Sequence, residues 1–159
     1  MDKKKIDSST LWAWVSASIL FGCAYLLISG SATLTRVAIE SIGLPVGTLV
    51  AWGGIIALPT ALYFGPARRL GPSAPLARSC MFLLKAALLL AGSWGLVAYG
   101  LAGNWAFTFS GRVPTFRGSD EASIVFWVYS AGVLLVALLA LLLLLASRLI
   151  GSGDSQTSS

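Results

Sequence analysis

The chain has 159 residues, of which 57% are hydrophobic and 11% charged, and its mean hydropathy is +0.84. A soluble domain usually carries about 25% charged residues, so this composition excludes an ordinary water-solvated globule. The net charge of +5 comes from cations placed beside apolar stretches rather than on one basic face, which argues against nucleic acid as a partner.

A helix crossing a bilayer core of about 30 Å needs about 20 apolar residues. Four stretches of that size are present, at about 11–28, 44–64, 81–102 and 124–146. They predict an all-α integral membrane protein with one four-helix transmembrane domain over 11–150, a short N-terminus (1–10) and a disordered polar C-terminal tail (151–159). Lys3, Lys4, Lys5, Arg68, Arg69, Arg78 and Arg148 fall on one side of this arrangement, and Arg36, Arg112 and Arg117 on the other. The positive-inside rule then places both termini and the second connection in the cytoplasm.

The three lysines before the first stretch also suit a signal peptide, and Leu20-Phe21-Gly22-Cys23 loosely resembles the lipobox of bacterial lipoproteins. Phe21 is bulky for that motif, and the chain stays apolar through Ile28 instead of turning polar. The length fits a crossing better than a signal core of about 7–15 residues, so an uncleaved span is expected. Trp12 and Trp14 read as interfacial anchors at its start, and Tyr25 lies nearer its outer end. Cys23 and Cys80 read as small apolar side chains rather than a disulfide framework.

Beyond the first span, Leu34, Val37, Ala38 and Ile42 recur at helical spacing, with Arg36 and Glu40 four apart. This predicts a short helix on the outer surface, ended by Gly43 and Pro45. In the second span Gly53, Ala57, Ala61 and Gly65 recur every four residues and form a helix-packing strip, which Gly43, Gly47 and Ala51 extend upstream. Pro59 is expected to kink that helix. Pro66, Pro72 and Pro75 predict an irregular basic turn at 65–79, suited to anionic headgroups.

Lys85 is the one charge inside a predicted crossing, about one turn from its cytoplasmic end. It reads either as a snorkelling lysine or as part of a polar path with Ser93 and Thr60. Ala91, Gly92, Ser93 and Gly95 offer a small-residue face on this third span. The fourth span is nearly all leucine, alanine and valine between residues 133 and 146, and it should face lipid over most of its surface.

Between the third and fourth spans, Trp105, Phe107 and Phe109 alternate with Ala106 and Thr108 before Ser110-Gly111. The alternation predicts a short outer aromatic hairpin-like loop, with Trp105 opposite Phe116 and Phe107 opposite Pro114. Ser119 or Asp120 would then cap the fourth helix. The loop reads as an interfacial anchor or as a docking surface in which Trp105, Phe107, Phe109, Arg112, Phe116 and Arg117 supply the contact.

With no histidine, the chain builds no His-based metal centre, no ordinary membrane-haem ligation and no Ser-His-Asp triad. All six carboxylates, Asp2, Asp7, Glu40, Asp120, Glu121 and Asp154, fall outside the predicted crossings, so no acid stands at depth for a proton relay. No Walker-type loop or CxxC pair is present. The sequence therefore predicts a non-enzymatic membrane protein without cofactor, an accessory or regulatory subunit that contacts lipid and either another membrane protein or a second copy of itself. The alternative is a small transporter or channel component, such as a small subunit of a multi-subunit transporter, with Lys85, Ser93 and Thr60 lining its path. A bacterial inner membrane is the expected setting.

Overall fold

The computed structural model describes residues 7–69, 75–107 and 116–153. Four helices account for most of them: α1 (Ser8–Ser29), α2 (Val46–Phe64), α3 (Pro75–Ala102) and α4 (Asp120–Gly153). Each is long and apolar enough to cross a membrane. Lys3 to Lys5 and residues 154–159 lie outside the described residues. The helix boundaries exceed the sequence reading mainly at two places. Pro75 starts α3 instead of ending the preceding turn, because a proline at the first helical position lacks only an N–H that would be unpaired anyway. Helix α4 runs on to Gly153, into the segment read as a tail.

Consecutive helices pack antiparallel. In α3, Cys80, Leu84, Ala87, Ala91, Trp94, Ala98 and Ala102 are buried, a spacing of three and four that makes one continuous stripe. Phe126, Val133, Ala137, Ala140 and Leu144 form the matching stripe on α4. Alanines make up most of the α3 stripe and meet Ala137 and Ala140 on α4, so the backbones approach closely enough for the Cys80 thiol to lie 3.6 Å from the Ala140 carbonyl oxygen. Between the later stripe residues, Leu134, Leu135, Leu138, Leu139, Leu142 and Leu145 are exposed, as suits a helix that faces lipid. In α3 the small-residue face includes Ala91 and Gly95, whereas Gly92 points outward, because adjacent residues sit about 100° apart on a helix.

The strip on α2 faces α1. A methyl group added at Gly53 or Gly54 would meet Cys23, and one added at Gly65 would meet Ala13. Ala57 is buried along the same line, opposite a helix whose buried residues are Ser9 and Ser16, seven apart. Small residues on both sides therefore bring α1 against α2. Helix α2 continues through Pro59, which is fully buried. On its other side α2 packs against α3, where Trp52 lies across Gly95. The outcome is a three-helix core of α2, α3 and α4, with α1 applied to one flank. Only 6% of the α1 span is buried, against 22% to 33% of the other three.

The connection between α1 and α2 corrects the expected surface helix. It folds as a 3-10 turn at Ala32–Thr35, a strand β1 (Val37–Ile39), a 3-10 turn at Glu40–Ile42 and a strand β2 (Leu44–Pro45) antiparallel to β1. The β-branched Val37 and Ile39 favour extended backbone, and Gly43 at φ 65° reverses the chain. Two hydrophobic clusters lie within the core, one around Trp94, Phe107 and Phe126 beside the turn after α3, the other around Cys80, Leu84 and Leu144 with Ala67 at the opposite end.

The approach of Trp52 to Gly95 is testable. A β-carbon at Gly95 would sit 2.5–2.6 Å from the Trp52 ring, while one at Gly92 would meet open space. Gly95→Ala should destabilise the fold by about 1–3 kcal/mol through overpacking, whereas Gly92→Ala should be neutral or stabilising, both read from reversible unfolding in mixed detergents. Equal effects of the two substitutions would contradict the packing described.

Candidate functional site

Polar side chains inside an apolar helix bundle need internal partners, since no water is at hand to satisfy them. Between α2, α3 and α4 those partners form one seam. The Trp52 indole N–H donates to the Ala91 carbonyl oxygen at 2.9 Å, and the Trp94 indole N–H donates to the Ser130 hydroxyl at 2.9 Å. Ser130 in turn donates to the Phe126 carbonyl. The Tyr129 and Ser93 hydroxyls are 2.8 Å apart, and both reach the Leu90 carbonyl. Among the described residues, no buried side-chain nitrogen or oxygen lacks a partner.

The turn after α3 closes the loop end of this seam. Gly103, at φ 71°, ends the helix with its N–H on the Tyr99 carbonyl, and the Asn104 side chain accepts from the Ala106 N–H. Thr48 is fully buried at the start of α2, and its hydroxyl donates to the Trp105 carbonyl at 2.9 Å. The chain returns at Arg117, whose N–H donates to the Ala102 carbonyl. At Gly118 any side chain would collide with the Leu101 carbonyl, so this close return requires glycine. Ser119 then caps α4 by accepting from the Ala122 N–H.

This geometry rearranges the aromatic residues singled out from the sequence. Asn104 to Phe107 form a turn and not a strand, because the alternating rings have a crevice between helices to fill. Phe107 is buried, edge-on to Trp94 and Phe126 at 5.9 and 5.2 Å between ring centroids. Trp105 stacks on Tyr99 and Trp52 rather than opposing Phe116, which packs instead on Phe126. Phe107 is thus unavailable to a partner, Trp105 and Phe116 are half-buried, and Arg117 is exposed. Phe109, Arg112 and Pro114 lie outside the described residues. No family model, curated protein or solved structure matches the chain. What it does must be read from its own geometry.

The three residues of the candidate polar path are dispersed. Thr60 donates to the Ile56 carbonyl of its own helix, and Ser93 belongs to the seam with Tyr129. Lys85 is exposed near the other end of α3, lining a cleft to which neither of the others contributes. The strip residues Gly53, Ala57, Ala61 and Gly65 lie along the side of α2 that packs on α1. Near that end Asp7 caps α1, and hydrogen bonds from the Ser9 hydroxyl and N–H hold its carboxyl below the usual range, with Arg68 adding a weaker attraction.

Sequence reasoning missed the seam. Its signal was the presence of Trp52 and Trp94 well inside apolar spans, away from the headgroup level where indoles usually settle, which demands an internal acceptor for each N–H. The two threonines test the resulting hierarchy. Thr48→Val should cost about 0.5–1.5 kcal/mol by leaving the Trp105 carbonyl without its donor, while Thr60→Val, which breaks only a bond within one helix, should be close to neutral. Detergent unfolding followed by tryptophan fluorescence measures both, and a larger loss at Thr60 would refute the assignment.

Proposed function

We propose that the chain is a non-catalytic integral membrane protein that works by helix contact, as an accessory or regulatory subunit of a larger membrane assembly. The observation that supports this reading most is the contrast between core and flank. Among the described residues the buried polar side chains of α2, α3 and α4 are hydrogen-bonded within the bundle, which leaves none of them unpaired at depth to bind or pass a substrate. Helix α1 is attached along one side only. Its far side presents Phe21, Tyr25 and Ile28, all at least 70% exposed and spaced by four and three residues, while the exposed Trp14 borders the groove beside α2. Aromatic side chains in such a row are the kind that anchor protein contacts, here with another membrane protein or a second copy of this chain.

In this reading the end carrying Arg68, Arg78 and Lys85 faces the cytoplasm, and the end carrying Arg36 and Arg117 faces outward. A bacterial inner membrane suits that arrangement. The polar-path alternative has less support, since Thr60 and Ser93 are engaged elsewhere.

Two measurements test the proposal. A phosphatase fused after residue 159 should be inactive and a cytoplasmic reporter at the same place active; the reverse would invert the topology. Extraction in mild detergent should yield the chain in a stoichiometric complex, and Phe21→Ala combined with Tyr25→Ala should release it without altering the fold. A wild-type chain that purifies as a bare monomer contradicts the proposal.

A further inference from the structure

At the end where α1 starts and α4 finishes, between the 3-10 turn Ala67–Arg69 and the first turns of α3, lies a cleft of about 560 Å³ lined by Arg68, Arg78, Lys85, Met81 and Phe82. Among the described residues three cations line it and no carboxylate does. Arg68 rests 5.8 Å from the centre of the Phe64 ring, and among the described residues no ion pair engages Arg78 or Lys85. Asp7 attracts Arg68 only weakly from its other side, so like charges converge here with little counter-charge among the described residues, and they repel one another.

The helix adds to that imbalance. The first turn of α3 carries no acidic residue, and Arg78 is its fourth residue, next to the positive end of the helix dipole. Cations there have the unfavourable sign, and an anion in the cleft would reverse the effect. The shape of the site narrows the choice of anion. Arg78, Phe82 and Lys85 are spaced by four and three residues and share one face of α3, along about 10 Å of its axis. Phe82 is 72% exposed between the two cations, and Met81 lines the same cleft. A free inorganic anion has no use for that apolar surface, whereas an amphiphile covers it with its hydrocarbon chain.

We infer that Arg68, Arg78 and Lys85 form a binding site for the phosphodiester headgroup of an anionic phospholipid, whose acyl chain lies along Met81 and Phe82. The inference rests on the proposed membrane topology, in which this end meets the inner leaflet, the side where basic clefts next to spanning helices select anionic lipids. Lys85 then neither conducts nor merely reaches for water. It closes the deeper side of a headgroup site that Arg78 opens nearer the surface.

The test uses the full chain purified in detergent, with lipid retention read by native mass spectrometry after addition of phosphatidylglycerol or phosphatidylcholine. The wild type should retain phosphatidylglycerol preferentially. Arg78→Gln and Lys85→Gln should each lower that preference about fivefold, as expected for one cation near a membrane surface, while Arg36→Gln, at the opposite end, should leave it unchanged. Equal retention of the two lipids, or an equal loss in Arg36→Gln, overturns the site. Displacement of phosphatidylglycerol by millimolar inorganic phosphate would show an anion site without lipid specificity and overturns the assignment to lipid. A chain that stays monomeric in buffer without detergent overturns the membrane reading itself; one that needs detergent yet shows no lipid preference overturns only this site. Circular dichroism of the variants separates lost binding from lost fold.

Discussion

The indole of Trp52 imposes the strongest constraint on this structure. Its N–H must find an acceptor inside an apolar bundle, and its ring must find room on a neighbouring helix. The Ala91 carbonyl and the missing side chain of Gly95, one turn apart on α3, meet both needs at once. Hydrogen bonds are directional, whereas apolar packing tolerates sliding, so this contact selects one register of α2 against α3. Trp94 and Tyr129 do the same between α3 and α4. The loop-end aromatics then stack onto these rings, and the turn after α3 is held by Thr48 from the start of α2.

Helix α1 is held by different physics. Among the described residues no hydrogen bond joins it to α2; the contact consists of glycine, alanine, serine and cysteine packed against one another. In lipid such an interface depends on close approach alone. The division into a hydrogen-bonded three-helix core and a van der Waals-bound flank is what makes contact through α1 a reasonable function. The basic end contributes separately, because among the described residues Arg78 and Lys85 have no ion pair and nothing in the core satisfies them.

The four long apolar helices were legible from sequence because length and apolar composition, the properties a bilayer crossing demands, are local. The cap at Ser119 and the close packing of the 53–65 strip were legible for local reasons too, as short-range hydrogen bonding and small-residue spacing belong to a single helix. What the strip packs against was not, since sequence spacing gives a helix a face but not a neighbour. The segment 31–42 misled because its helical spacing coexists with β-branched Val37 and Ile39, and Gly43 decided the contest by reversing the chain. The alternation of Trp105 and Phe107 misled in the same way: their rings serve the crevice above Trp94, a tertiary feature that no local pattern encodes. Lys85 could be placed near the end of a span, but its convergence with Arg68 and Arg78 needed the fold.

The solvent exchange of the tryptophan indole protons, followed by NMR in lipid nanodiscs, tests the central claim most directly. If the seam holds the core as described, the indole N–H signals of Trp52 and Trp94 persist in heavy water long after those of Trp12 and Trp14, which stand exposed near the end of α1. Exchange of Trp52 and Trp94 as fast as that of Trp12 and Trp14 would contradict the account.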